Sequence, residues 1–167
     1  LLALALLLAF VALPRPAAAD PGDIDAAARG VVRIVLFEQG DERLEPITHG
    51  SGFAVTPTRI VTNAHVLAEA IDNPQLRIGV VPSEGDGGAF ARIIAVDPAT
   101  DLALIEIAKG ALRLPPLTLG GSVGATGGEV SAVGYPMNVD LAQGLATEDI
   151  FRAQPPVKSR GFLSGER

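Results

Sequence analysis

ITHGSGFAVTPTRIVTNAHVL, residues 47 to 67, is the stretch from which the fold of this chain can be read. Two short runs, GFAV (Gly52 to Val55) and RIVT (Arg59 to Thr62), flank Thr56-Pro57-Thr58, a strand–turn–strand arrangement of ordinary turn chemistry. After Thr62 the pattern changes: Ala64 to Ala70 suits one or two helical turns, which Asn73-Pro74 ends. Working outward toward the N-terminus, VVRIVLF (Val31 to Phe37) is rich in β-branched residues, and the acidic polar stretch Glu38 to Glu45 reads as an exposed hairpin loop. Toward the C-terminus, Gln75 to Val81, Ala89 to Val96 and Leu102 to Ile107 are further strands, with the flexible tip SEGDGG (Ser83 to Gly88) between the first two. Lys109 to Leu119, with Pro115-Pro116 at its centre, reads as a linker. Glu129 to Val133 is another strand, ended by Gly134-Tyr135-Pro136, and Leu145 to Arg152 is expected to form the next. Strands at this spacing, with no strand–helix alternation and no internal repeat, predict an all-β barrel or sandwich. Aromatic residues make up only 4% of the chain, so aliphatic side chains must fill its core.

The first nineteen residues stand apart from this pattern. LLALALLLAFVAL (Leu1 to Leu13) is one apolar run, broken by Pro14-Arg15-Pro16 and followed by Ala17-Ala18-Ala19 before Asp20. That is the order of a secretory leader: apolar core, helix breaker, small-residue cleavage site. The run falls short of the roughly 20 apolar residues that cross a bilayer. No Met or basic segment precedes it, so the chain is read as beginning inside its own leader, with cleavage near Ala19/Asp20 and a periplasmic or extracellular destination. The remainder, about 150 residues, is long enough for one core or two small ones. A formal net charge of −6 offers no basic footprint for nucleic acid or for an anionic membrane, and no stable membrane insertion is expected after leader cleavage. Cysteine is absent, which excludes thiolate nucleophiles, thiolate metal sites and disulfides within this stretch.

Only two histidines occur, His49 and His65. His65 follows the strand RIVT at the start of a helical turn, a place that can hold an imidazole firmly while leaving one edge open. A carboxylate partner lies downstream in VDPATDLALIEI (Val96 to Ile107). Asp97, just before Pro98, suits a turn-forming role. Asp101 sits at the mouth of the apolar strand Leu102 to Ile105, where partial desolvation would call for a hydrogen-bond donor such as an imidazole N–H. Taken singly, His65 and Asp101 read more readily as ordinary structural or surface residues.

GSGF (residues 50–53), TNAHV (62–66), DPATDLALI (97–105) and VSAVGYP (130–136), in this order, resemble the bacterial trypsin-like serine peptidases, especially their HtrA-like and glutamyl-endopeptidase-like branches. The resemblance covers nearly all of the chain after the leader. It implies a chymotrypsin-like double β-barrel, with the first barrel complete over residues 20–114 and the second, after a linker, only partly covered over 115–167. It further implies that His65 is the general base, that Asp101 orients it, and that peptide bonds of protein or peptide substrates are cleaved without metal or organic cofactor. A non-catalytic barrel that binds peptides or protein partners is the alternative. No IVGG-type activating N-terminus occurs near Asp20, and Pro21 to Arg29 stays open as a propeptide.

The family's nucleophile lies in a segment of the form G-x-S-G-G, and none is present among Ser51, Ser83, Ser122, Ser131, Ser159 and Ser164. Gly120-Gly121-Ser122-Val123-Gly124 fits the G-x-S-x-G elbow of α/β-hydrolases, yet no His follows it to complete a triad. Ser164 has Phe162 where the motif has Gly, and the glycines around Ser51 suit tight packing. The nucleophile is therefore expected beyond this chain. The stretch alone is expected to be inactive and poorly folded, since an unclosed second barrel exposes sheet edges.

Overall fold

A computed structural model describes residues 21–40, 44–120, 124–142 and 144–164. The expected leader, Ser122 and the tip of the Glu38–Glu45 loop lie outside the described residues.

Helix α1 (Pro21–Ala28) leads into β1 (Val31–Gln39), which forms an antiparallel pair with β2 (Leu44–Ala54). Strand β3 (Arg59–Thr62) returns through the Thr56–Thr58 turn, where the Thr56 hydroxyl accepts the Arg59 N–H at 3.0 Å. A 3-10 turn (Ala64–Leu67) and the short helix α2 (Ala68–Asp72) follow, and the Asn73 N–H ends α2 on the Glu69 carbonyl. Strands β4 (Arg77–Pro82), β5 (Ala89–Asp97) and β6 (Leu102–Ile107) complete a closed barrel of order β1-β2-β3-β6-β5-β4. Closure removes the free sheet edges that an open sheet of this composition would expose.

Strand β1 is buried along Val31 to Phe37. Because successive side chains alternate across a strand, its two faces enter different cores. Val32, Ile34 and Leu36 join Ile60, Val80 and Ile105 inside the barrel. Val35 and Phe37 point outward and, with Val81, lie under Ile150 and Phe151. The Phe37 and Phe151 rings meet edge to face at 5.4 Å. Double burial explains why VVRIVLF reads as a nearly continuous apolar run.

Beyond β6 the chain runs through residues 108–120 without helix or strand. It is strapped to the barrel all the same: Leu114 is buried, and the Leu117 N–H donates to the Ala54 carbonyl at 2.8 Å. Strand β7 (Glu129–Gly134), helix α3 (Met137–Ala142), a 3-10 turn (Thr147–Phe151) and β8 (Val157–Phe162) follow, with β7 and β8 paired antiparallel in a second, two-stranded sheet. Helix α1 lies against this sheet, and Asp25 pairs with Lys158.

One expected strand is corrected here. Leu145 to Arg152 is not a strand but carries the 3-10 turn, because Ile150 and Phe151 are drawn onto the apolar patch outside β1. Pro155-Pro156 cannot donate to a ladder, so the strand begins only at Val157.

Gly50 shows how closely the barrel is packed near the expected site. A Cβ built there would stand 2.7 Å from Cγ2 of Val66, a β-branched side chain with little freedom at χ1. Gly50→Ala is expected to destabilise the protein by about 1–3 kcal/mol, read as a lower denaturation midpoint with an unchanged slope.

Candidate active site

Strand β3 carries the chain to the site. Thr62, its last residue, pairs in register with Gly52 of β2 and Ala103 of β6, and its hydroxyl donates to the Ser51 carbonyl at 2.7 Å. Asn63 is extended, and the 3-10 turn begins at Ala64, whose N–H donates to the Asp101 carbonyl at 3.1 Å. His65 therefore projects from a turn anchored to the β5–β6 connection on one side and to β3 on the other.

The β5–β6 connection is shaped by its own side chains. The Asp97 carboxylate accepts the Ala99 N–H at 3.0 Å and the Thr100 hydroxyl at 2.8 Å, so Asp97 has the turn-forming role expected of it. Asp101 then adopts φ of 53°, a left-handed conformation that Asp tolerates better than most side chains. From there its carboxylate meets His65 twice. Oδ1 accepts the His65 main-chain N–H at 2.9 Å, and Oδ2 lies 2.7 Å from Nδ1 of the ring. The Asn63 amide donates to the same Oδ2 and to the Asp101 carbonyl, both at 3.1 Å.

This geometry corrects the expected environment of Asp101. Its side chain is 45% exposed and that of His65 71%, so desolvation does not dominate. Hydrogen bonds from the His65 main chain, then from its ring, hold the Asp101 carboxyl below its ordinary range, with the nearby imidazole charge and Asn63 adding to the effect. An ionised carboxylate only accepts hydrogen bonds, so Nδ1 carries the proton and the Nε2 lone pair is left free to take another. Among the described residues no group hydrogen-bonds Nε2. A cleft of about 460 Å³ reaches as far as Thr62 and Asn63, just before this turn, and is bounded further by Leu102, Leu117, Ser131 and Val133; His65 and Asp101 do not line it.

His49 is placed quite differently. It is buried on β2, with Nε2 2.7 Å from Oδ2 of Asp140 on α3. Ser51 is not free either, since its Oγ accepts the Tyr135 N–H at 2.7 Å. Ser83 is buried after β4, Ser131 and Ser159 lie on β7 and β8, and Ser164 is exposed. Sequence reading left His49 and Asp140 unassigned; the one local signal was a charged residue, Arg33, inside an apolar run. Among the described residues no group of three or more His, Cys, Asp or Glu side chains is arranged to hold a metal ion, and no helix is long and apolar enough to cross a membrane.

The closed barrel and the sheet behind it are the two halves of a chymotrypsin-like fold, the first complete and the second partly covered. Residues 50–164 match the trypsin-like peptidase domain, and the chain belongs to that family. Two relatives are serine proteases of Mycobacterium tuberculosis, Rv3671c of strain H37Rv and MT3772 of strain CDC 1551. Each is 32% identical over 126 residues, which is 75% of this chain but only 29% of the relative's length. Among solved structures, the crystal structure of Deg5 is similar with a TM-score of 0.64 and 26% identity, over 85% of this chain and 60% of Deg5.

The depressed titration of Asp101 has a definite sign. Its folded-state value lies below the ordinary 3.8, so the stability it contributes is complete above that value and is lost as pH falls through the depressed one. Carboxyl carbon resonances followed by NMR are expected to show Asp101 titrating below the ordinary 3.8. Its midpoint should rise in Asn63→Ala and rise further in His65→Ala.

Proposed function

We propose that the intact protein is an exported serine endopeptidase in which His65 is the general base and Asp101 its orienting acid. The observation that carries this reading is the 2.7 Å contact between His65 Nδ1 and Asp101 Oδ2, made while the opposite edge of an exposed ring stays unoccupied by any described residue. Membership of the trypsin-like peptidase family, and relatives that are themselves serine proteases, support it.

In this reading a serine of the second barrel, outside the described residues, supplies the nucleophile. Its hydroxyl proton passes to Nε2 of His65 as Oγ bonds to the scissile carbonyl carbon. The imidazolium, stabilised by Asp101, returns that proton to the leaving amine as the peptide C–N bond breaks and an acyl ester remains. Water, deprotonated by His65 in its turn, hydrolyses the ester and regenerates the serine. Every step is a proton transfer or acyl transfer that these side chains can complete without a cofactor. The substrates are peptide bonds in proteins or peptides. The apolar run Leu1 to Leu13 and the alanines before Asp20 support export through a cleaved leader.

Asp101→Asn in the full-length protein tests the assignment cleanly, because Asn also tolerates the left-handed backbone that residue 101 adopts. Turnover of a peptide substrate is expected to fall by about 10⁴-fold with only a modest fall in melting temperature, and His65→Ala should abolish labelling by a fluorophosphonate. Near-normal turnover in a folded Asp101→Asn variant would sink the triad; unlabelled wild-type protein that still binds peptides would leave a non-catalytic binding barrel. Mass spectrometry of the exported protein is expected to find its N-terminus at Asp20.

A further inference from the structure

We propose that Asp140, held by His49 and Arg33, is a positioning residue that fixes the second sheet on the first barrel and so sets the distance between the nucleophile and His65. This inference rests on the serine endopeptidase reading for its catalytic half and on the described contacts for its structural half.

The cluster lies across the junction of the two halves. Arg33 of β1 pairs in register with Ser51 of β2, and Val35 with His49, so these residues share the outward face of one ladder. From the other side, Asp140 of α3 places Oδ2 2.7 Å from His49 Nε2 and 3.6 Å from Arg33 Nη2. The Arg33 guanidinium also donates to the Ile150 carbonyl at 3.1 Å and to Gln154 Oε1 at 3.3 Å. It lies over the Tyr135 ring, 4.6 Å from its centroid. Tyr135 in turn donates its hydroxyl to the Gln154 carbonyl and its N–H to Ser51 Oγ, both at 2.7 Å. No more than 9% of the Arg33, His49 or Asp140 side chain is exposed.

A buried ionic cluster is a poor source of adhesion, because removing the charges from water offsets most of their attraction. This one is also imperfect, for Arg33 Nε is buried without a hydrogen-bond partner. The apolar contacts of Val35 and Phe37 with Ile150 and Phe151, beside it, already hold the halves together. Such contacts are non-directional and tolerate sliding. The hydrogen bond between His49 and Asp140, with those from Arg33 to Ile150 and Gln154, is directional and favours a single register, which is the best-attested use of buried polar groups.

That register reaches the candidate site through Ser51. Its Oγ receives the Tyr135 N–H from the second half, and its carbonyl receives the Thr62 hydroxyl three residues before His65. Gly134 permits the approach, since a Cβ there would stand 2.7 Å from Ser51 Oγ. Loosening Asp140 would let β7 and whatever follows it drift from His65 while leaving the His65–Asp101 contact whole. A misplacement of 1 Å can cost about 100-fold in rate.

The experiment replaces the cluster by apolar residues in the full-length protein: Arg33→Met, His49→Leu and Asp140→Leu together. A merely structural cluster would change activity and stability in parallel. The expected result is an equal or higher melting temperature, kcat reduced roughly 10- to 100-fold with a smaller change in KM, and faster hydrogen exchange across residues 129–142. The His65 Nδ1 proton resonance should stay in place. Unchanged kcat and exchange in the folded triple variant would overturn the proposal. Should that variant fail to fold, Asp140→Asn decides: lower kcat at an unchanged melting temperature supports positioning, and a parallel loss of both overturns it. His65→Ala, run alongside, separates the two readings. If it is as active as wild type the triad is wrong, and the exchange across residues 129–142 then decides whether the cluster fixes the docking.

Discussion

Strand β1 lies between two cores, and the rest of the molecule is arranged around that double burial. Its inward residues, Val32, Ile34 and Leu36, are part of the barrel interior, and its outward ones, Val35 and Phe37, are covered by the 3-10 turn ahead of β8. A barrel standing alone would turn that outer face to water and would favour polar residues there. Here the outer face is apolar except for Arg33, whose charge is met by Asp140 and whose plane lies on Tyr135. Burial pulls the Arg33 guanidinium below its ordinary value, against the opposing pull of the Asp140 charge, and pushes the Tyr135 phenol up to about 12, so the phenol stays protonated across the ordinary pH range. The two halves meet on a surface that is apolar at one end and directionally bonded at the other.

The His65–Asp101 pair is held by the opposite strategy. Both side chains are substantially exposed, and their order comes from main-chain geometry. The β3–β6 ladder fixes Thr62 opposite Ala103, which brings the residues following Thr62 beside those preceding Leu102. The Ala64 and His65 N–H groups then close onto Asp101, and its left-handed backbone turns the carboxylate toward the ring. Removing the ring would leave the turn's backbone contacts in place, so the frame that supports the chemistry does not depend on the residue that would perform it.

Much of this was legible in the residues. RIVT and LALIEI coincide with β3 and β6, and the helical turns after Thr62 stop at Asn73. These elements carry local signatures, β-branched runs bounded by Pro, Asn or Asp, and local signatures survive in a single sequence. Strand β2 is longer than GFAV, because its first half, from Leu44 onward, is polar and owes its pairing to β1. VKSRGF, which forms β8, shows little apolar character, and its pairing with β7 supplies the order its composition does not. The apolar strand after Asp101 suggests a desolvated carboxylate, whereas hydrogen bonds hold it, and their donors, in the turn 36 residues before it, leave no mark in the sequence beside it.

By itself, then, the sequence determined most of the strand set of the first barrel and the turn chemistry between its strands, and through its resemblance pointed to His65 and Asp101 as partners, since each is written in contiguous residues or in a fixed order of short segments. Only the tertiary structure decided that His65 lies exposed on its turn while His49 is sealed against Asp140, 91 residues away. It also decided that Ile150 and Phe151 cap the outer face of β1 instead of extending a strand. The physical reason is common to these cases. Hydrogen-bond partners and apolar coverings distant along the chain leave no periodicity in it, and their geometry exists only once the two halves have been packed together.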